Sequence, residues 1–179
     1  MTKPDSGLFK GTSSIEDFYG DAERVIAERV KGLDLTPHPI TQKQLSSKQR
    51  KRIKDKIENR TATREEYKML NWDKRLSKRR KKGVDEFWKN EKILIKSGRK
   101  GTRSWTPEQL DEIMAGEKPK NNGKTMQSHH SYSVAQFPHL ANRGEVIYPA
   151  TQTEHLKGWH GEKYNLSSPG KRIRRIREF

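Results

Sequence analysis

The sequence predicts an α+β protein in which basic helices precede a smaller region of short strands, loops and helices. Three observations support this. Most of the positive charge lies in residues 41–103, apolar residues recur there at helical spacing, and turn signals interrupt the pattern from residue 104 onward. We therefore divide the chain into an N-terminal arm or linker (1–40), a basic helical region (41–103) and a smaller core (104–179).

The charge of the 179-residue chain favours a polyanionic partner. Its 39 Lys and Arg against 23 Asp and Glu give a formal net charge of +16. Residues 41–103 contain 23 of these basic and 8 of these acidic residues, a net +15. Such a partner could be nucleic acid, an acidic protein or an anionic membrane; because the excess is too one-sided for an ordinary solvated helix surface, a surface that binds the phosphates of nucleic acid is favoured over a merely solvated one.

Several classes of protein are excluded by the composition. Without cysteine the chain has no disulfide scaffold, no thiolate zinc site and no cysteine nucleophile. No apolar run approaches the roughly 20 residues of a membrane span. The N-terminus lacks the basic-then-apolar pattern of a signal peptide, so we expect another element to carry the protein if it leaves its cell.

Helices are predicted for the arm and for the basic region. Apolar residues at three- and four-residue steps predict a helix in the arm that ends before Pro37. In the basic region, Ile53 and Ile57 mark one helix, and the capping-box pair Thr63 and Glu66 opens a second. The basic run Lys78–Lys82 is expected to separate the second helix from a third, whose pattern is Val84, Phe87, Trp88, Glu91 and Ile95.

Shorter elements are predicted after residue 104. Thr106, Pro107 and Gln109 have the spacing of a helix start. Thr151 and Glu154 have the same capping-box spacing, and the helix that they open carries His155. The other expected elements are a loop with a turn at 118–123, an extended stretch at 124–133, a strand at 145–148 and an edge strand at 171–177.

Histidines are concentrated in the C-terminal region. Five of the six lie between His129 and His160. Imidazole is the commonest metal ligand, and its pKa suits proton transfer near neutral pH. A cluster without cysteine predicts a nitrogen-rich site for Zn²⁺ or a similar transition metal, with Mg²⁺ or Mn²⁺ also open. Because neighbours on a strand face opposite ways, His129 and His130 cannot both bind one metal, but one can bind it while the other acts as a base.

The motifs in this region resemble a nuclease family. Gln127–Tyr132, His139–Asn142 and Pro149–Gly161 together are similar to the HNH/endonuclease VII superfamily, especially bacterial polymorphic-toxin nucleases with an SHH or GHH signature. This resemblance covers roughly 104–179. More weakly, residues 41–103 resemble the basic helical lead-in of toxin tips in LXG-type secreted proteins.

The resemblance implies a ββα-metal core and a role for each motif residue. His129 would bind one divalent metal ion and His130 would be the general base. Asn142 would tie the hairpin loop together or orient the base, and His155 and His160 would be the ligands on the helix.

The spacing of the two helix histidines departs from the family pattern. His155 and His160 are five residues apart rather than four, which places them about 140° apart on an ideal α-helix. A π-bulge or a helix that ends before Trp159 would bring them together; otherwise one of them is not a ligand.

Other polar residues receive subsidiary roles. His139 follows a proline in a loop and has no place in the motif, so a structural role is favoured. Glu145 and Glu154 are expected to support the site or cap a helix. The residues expected to contact phosphates are Arg143, Lys157, Arg172, Arg174 and Arg175.

The resemblance implies a metal-dependent, largely nonspecific endonuclease that hydrolyses DNA. It further implies a monomeric antibacterial toxin domain, delivered into target bacteria as part of a larger secreted protein and neutralised by an immunity protein. The net charge predicts that this immunity protein is acidic. RNA as the substrate and a nonenzymatic, basic RNA-binding or ribosome-associated protein are the alternatives.

Overall fold

The computed structural model describes residues 12–159, with side chains from residue 21 to residue 156. Its α-helices are α1 (Thr12–Arg29), α2 (Ser47–Glu58), α3 (Arg64–Lys96) and α4 (Pro107–Met114). Its strands are β1 (Lys120–Asn121), β2 (Lys124–Thr125), β3 (Gln127–His130) and β4 (Ile147–Ala150). A π-helix, Glu154–Trp159, follows β4. This mixture of helices and small antiparallel strands confirms the predicted α+β class.

Helix α3 is a single helix of 33 residues. The sequence predicts two helices separated by Lys78–Lys82, and that prediction is wrong. Lys and Arg are good helix formers and no proline interrupts this stretch, so a basic run continues a helix as readily as it fills a loop. The predicted start is confirmed, because Thr63 and Glu66 exchange the two hydrogen bonds of a capping box.

Helices α2 and α3 pack against each other around a small apolar cluster. Leu45, Ile53 and Leu70 are its buried members. Beside this cluster, the buried Asp73 carboxylate accepts a hydrogen bond of 2.8 Å from the Leu45 backbone amide. Arg50 donates to the other carboxylate oxygen at 3.4 Å. The pair of basic helices is therefore joined by both apolar and polar contacts.

The strands form two antiparallel hairpins. Asn122 and Gly123 connect β1 to β2 with φ angles of 50° and 74°, the left-handed conformation that a two-residue hairpin turn requires. In the second hairpin, His129 of β3 lies opposite Tyr148 and His130 lies opposite Ile147.

Strand β4 begins two residues later than the sequence predicts. The predicted strand at 145–148 is wrong in its first half, because Gly144–Val146 forms a 3₁₀ turn. At Gly144 a Cβ atom would lie 3.0 Å from the backbone nitrogen of Phe87. The chain thus packs directly on the backbone of α3 and turns there before the strand starts.

One apolar core joins α1, α3 and the β3–β4 hairpin. Its buried residues are Ala22, Ile26, Val30, Phe87, Phe137, Leu140, Val146, Ile147, Tyr148 and Ala150. Ala22 and Ile26 lie in α1, and Val30 directly follows it. The helix predicted for the segment 1–40 therefore exists, and it packs against the hairpin. The division of the chain into three regions stays a prediction.

Within residues 12–159, none of the helices has both the length and the apolar character needed to cross a membrane. His160 and the predicted edge strand at 171–177 lie outside the described residues.

Candidate active site

The two adjacent histidines of β3 face opposite sides of the strand, as strand geometry requires. His129 is buried, with 4% of its surface exposed, and its ring lies beside that of His155. His130 is partly buried and contacts the loop after β3. The doublet therefore contributes one imidazole to each of two separate environments.

The His129 environment is a pair of imidazoles. The ring centroids of His129 and His155 are 4.8 Å apart, with an angle of 62° between the ring planes. Gln127, also on β3, accepts a hydrogen bond from Nδ1 of His155 through its Oε1 atom. Because an amide oxygen only accepts, Nδ1 carries the proton and the lone pair of neutral His155 is on Nε2. This tautomer is the one that a metal-binding Nε2 atom needs.

The position of His155 is set by contacts at the start of the π-helix. Thr151 and Glu154 exchange hydrogen bonds of 2.9 and 3.2 Å, which confirms the predicted capping box. Arg103 binds both carboxylate oxygens of Glu154, at 2.7 and 3.0 Å, and the Pro149 carbonyl at 3.1 Å. Arg103 therefore ties the end of β4 to the helix that carries His155, a role that the sequence did not reveal.

The sequence allows two ways to bring residues five apart together, a π-bulge or a helix that ends before Trp159. At this position the structure has a π-helix. Its backbone closes i→i+5 hydrogen bonds, in place of the i→i+4 bonds of an α-helix. His160, the second histidine of that pair, lies outside the described residues.

Two neighbouring imidazoles are donors that Zn²⁺ and similar transition metals accept. Between residues 12 and 159, however, no group of three or more His, Cys, Asp or Glu side chains is arranged to hold a metal ion. The described residues therefore include two of the three predicted ligands, His129 and His155, and place their rings side by side.

On the other face of β3, His130 is held by a backbone carbonyl. Its Nε2 atom lies 3.0 Å from the carbonyl oxygen of Ala141. A carbonyl only accepts, so Nε2 carries the proton and Nδ1 has the lone pair of the neutral ring. Burial lowers the pKa of His130 to about 4; the Ala141 hydrogen bond opposes this effect and the positive charge of Arg80 adds to it. His130 is therefore neutral at pH 7, with its Nδ1 atom as the basic nitrogen.

The loop that holds His130 is fixed to α3 by Arg79. The guanidinium donates to the carbonyl oxygens of Pro138 and His139 at 2.9 and 3.0 Å, and to Oδ1 of Asn142 at 2.8 Å. Asn142 thus contacts Arg79 and connects the loop to the helix. The resemblance implies two alternative roles for Asn142, tying the hairpin loop together or orienting the base. Its contact with Arg79 agrees with the first of these roles.

Gly83 allows this loop to lie directly on the helix backbone. A Cβ atom at this position would be 2.3 Å from the carbonyl oxygen of Ala141, the atom that binds His130. Any other residue would push that carbonyl away from α3. Arg79 lies within the basic run Lys78–Lys82, and Gly83 directly follows it. Because a basic run by itself indicates only a phosphate-binding surface, the sequence did not reveal that these two residues support the site.

His130 lines an open cleft of about 290 Å³ between β3 and α3. Arg80 and Lys81 of α3 and Lys118 supply positive charge around it, and Asp85 supplies a carboxylate. A polyanion can therefore approach His130 from this side.

The remaining predicted site residues lie elsewhere. Arg143 is exposed and forms an ion pair of 2.9 Å with Glu145. His139 contacts the backbone oxygen of Asp34 through Nε2 and is not part of the His129–His155 pair. Lys157 lies in the π-helix, and the structure describes only its backbone. The residues outside the described part of the chain are His160, Arg172, Arg174 and Arg175.

The order β3, β4 and π-helix, with two adjacent histidines on β3, is consistent with an HNH-type nuclease domain. In agreement with this, residues 70–151 match the sequence model of the Tox-GHH family, described as a GHH signature containing HNH/Endo VII superfamily nuclease toxin. The matched segment, which is less than half of the chain, is therefore similar to the nuclease toxin domains of that superfamily. No curated protein matches the chain.

The match also shows where the chain differs from the family signature. Ser128 precedes the two histidines, in the place where the signature has glycine. Its hydroxyl accepts a hydrogen bond of 2.9 Å from the indole nitrogen of Trp88, so it adds a link between β3 and α3. The match includes most of α3 and ends before His155.

Proposed function

We propose that this protein is a metal-dependent endonuclease that hydrolyses phosphodiester bonds of DNA with little sequence preference. The observation that carries the proposal is the separation of His129 and His130 on β3. One face of the strand has a pair of imidazoles suited to a metal ion, and the other has a neutral imidazole beside a basic cleft. A nonenzymatic RNA-binding protein would account for the charge but has no need of this arrangement.

Each histidine has a role in the proposed reaction. His130 takes a proton from the attacking water through Nδ1, while the Ala141 carbonyl holds Nε2 and fixes the direction of the ring. His129 and His155, with His160 as the third candidate, would hold the metal ion. A divalent cation bound there would stabilise the negative charge that develops on the phosphate. Asn142 acts by holding the loop that carries Ala141.

Affinity for the substrate comes mainly from the basic residues. A net charge of +16 binds phosphates by counterion release, which is strong, salt-dependent and nearly independent of sequence. Arg143 and Lys157 beside the hairpin, and Arg172, Arg174 and Arg175 in the tail, are the proposed phosphate contacts. Nonspecific cleavage follows, because phosphate contacts carry no information about the bases.

The match of residues 70–151 to a nuclease toxin family supports the proposed biological role. We place the domain in a larger secreted protein that delivers it, as a monomer, into the cytoplasm of competing bacteria. A producer of such a nuclease needs an immunity protein. The charge of the toxin favours an acidic one, because complementary charge speeds association and competes with nucleic acid.

The test of the proposed function is cleavage by the purified protein of plasmid DNA and of total RNA. Each substrate is incubated with EDTA, Mg²⁺, Mn²⁺ or Zn²⁺, and the wild type is compared with His130→Ala. Glu108→Gln, at an exposed position of α4, is the control for handling and folding. We expect metal-dependent loss of DNA, reduced at least a hundredfold in His130→Ala and unchanged in the control.

Two other outcomes would change the conclusion. Loss of RNA alone would replace DNA by RNA as the substrate of the same site. Intact DNA and RNA with every metal, together with tight and salt-sensitive binding, would contradict the enzyme and leave the nonenzymatic binding protein.

A further inference from the structure

A cavity of about 310 Å³ lies on the far side of the loop that holds His130. It is formed between α3, the loop at 138–139 and the segment around His38. Trp72 and His139 are among its walls, with Arg75 and Arg79 beside them. None of the residues that line it is among the predicted catalytic, metal-binding or phosphate-binding residues.

Three of the residues that line the cavity, His38, Trp72 and His139, have aromatic rings. The centroid of the His38 ring is 6.2 Å from that of Trp72 and 5.7 Å from that of His139. The guanidinium carbon of Arg75 lies 5.7 Å from the centre of the Trp72 ring, within the range of a cation–π contact. Aromatic rings bordered by guanidinium groups are the surfaces on which unpaired nucleobases stack.

The cavity also has polar groups and positive charge. Arg79 donates to two carbonyls and an amide oxygen through Nε and Nη2, and these neutral partners leave its positive charge in place. Within the described residues, Trp72 Nε1 and His139 Nδ1 are buried without a hydrogen-bond partner. Asp34 interacts electrostatically with His139, and its carboxylate accepts hydrogen bonds from the amide and hydroxyl of Thr36.

Its location connects the cavity with the candidate catalytic centre. His139 lines the cavity, and two residues later the Ala141 carbonyl binds His130. On α3, Arg79 faces the cavity while Arg80, the next residue, faces the cleft of His130. The cavity and His130 therefore contact the same short loop from different sides.

We infer that this cavity binds an unpaired nucleobase of the substrate, next to the phosphodiester that is cleaved. The base stacks on Trp72, and Arg75 attracts the adjoining phosphate. This inference rests on the proposed nuclease function and deepens it, because it names single-stranded or locally unpaired nucleic acid as the preferred substrate. A paired base inside a duplex cannot enter the cavity without leaving its stack.

The test is binding in the absence of cleavage, with the full chain carrying His130→Ala and with EDTA present. Fluorescence anisotropy compares a labelled single strand of about 12 nucleotides with an abasic strand of the same length and charge, in DNA and in RNA. We expect the strand with bases to bind at least about fivefold more tightly, as stacking on one aromatic side chain provides.

Variants of α3 assign this difference to the cavity. Trp72→Ala should bring the two affinities together, and Trp72→Phe, which keeps an aromatic face, should preserve the difference. Lys74→Ala is the matched control: Lys74 is exposed, about 200° around the helix from Trp72, and its loss should weaken both strands equally. Thermal unfolding of each variant shows whether Trp72→Ala is still folded; if it is not, Trp72→Leu, which keeps an apolar side chain but removes the aromatic face, should bring the two affinities together instead.

Two results would overturn the inference. One is equal affinity for the strand with bases and the abasic strand. The other is a difference that persists unchanged in a folded Trp72→Ala protein. Failure of the proposed function is distinguishable from both, because it would appear as an absence of cleavage in the wild type while the stacking difference remained.

Discussion

The two faces of strand β3 are held in place in different ways. On one face, side chains position His155 beside His129: Gln127 contacts its ring directly, and Arg103 and Glu154 fix the start of its helix. On the other face, His130 contacts a backbone carbonyl. That carbonyl depends on how the loop packs against α3. The comparison teaches that two identical neighbouring residues can be held by separate supporting structures, which is what the two proposed functions require.

Among the residues that support the histidines, the largest effect is expected from Arg79→Ala, on the His130 face. The change removes three hydrogen bonds that hold the loop, and a shift of about 1 Å in a reacting group costs roughly a hundredfold in rate. Cleavage should therefore fall about a hundredfold while the affinity for metal stays the same. Lys78→Ala, the neighbouring exposed cation, is the control and should affect only salt-dependent binding. A loss of metal affinity in Arg79→Ala would contradict this prediction, because it would show that the two faces of β3 are not supported separately.

The next largest effect is expected from Gln127→Ala, on the His129 face. Without the amide oxygen the His155 ring loses the partner that selects its tautomer, and residues that orient ligands in this way usually contribute tenfold or more to metal affinity. Calorimetric titration with Zn²⁺ or Mn²⁺ should show a dissociation constant about tenfold higher. The exposed neighbour Gln152→Ala is the control. Equal affinities in the two variants would show that Gln127 does not orient a ligand.

A smaller effect, in stability, is expected from Gly83→Ala. In an ordinary helix this change stabilises by about 1 kcal/mol, but overpacking costs about 1–3 kcal/mol. Because the new Cβ would be 2.3 Å from the Ala141 carbonyl oxygen, we expect a net loss of about 1 kcal/mol in the free energy of unfolding. Urea denaturation measures it. Stabilisation by Gly83→Ala would mean that the loop does not rest on the helix as described.

The smallest effect is expected for the ion pair between Arg103 and Glu154, whose side chains are 15% and 20% exposed. A double-mutant cycle with Arg103→Ala and Glu154→Ala should give a coupling energy of about 1 kcal/mol in the free energy of unfolding. The Arg143–Glu145 pair, which is more exposed, supplies the comparison and should give less. A larger coupling in the exposed pair would contradict the structural importance of Arg103.

Local signals made much of this structure predictable from the sequence. The capping boxes at Thr63, Thr106 and Thr151 are pairs of residues three apart, and each one is present in the structure. The doublet of His129 and His130 on a short strand could likewise be recognised without knowledge of the fold. Such features depend on neighbours in the sequence, so the sequence alone is sufficient to reveal them.

Contacts between distant parts of the chain were not predictable in the same way. The sequence predicts a break between helices at Lys78–Lys82, whereas the structure has one continuous helix there. A basic run also does not indicate which of its side chains face the rest of the protein. Arg79 reaches Pro138 across 59 positions, and Arg103 reaches Glu154 across 51. Gly83 matters only because Ala141 lies above it. These residues become visible once tertiary packing brings the loop and the hairpin against α3.

The most direct test of this account compares His129→Ala with His130→Ala for both metal affinity and DNA cleavage. We predict that His129→Ala loses metal binding and cleavage together, whereas His130→Ala binds metal as tightly as the wild type and cleaves at least a hundredfold more slowly. Equal losses of metal affinity in the two variants would contradict the account, because both histidines would then serve a single site.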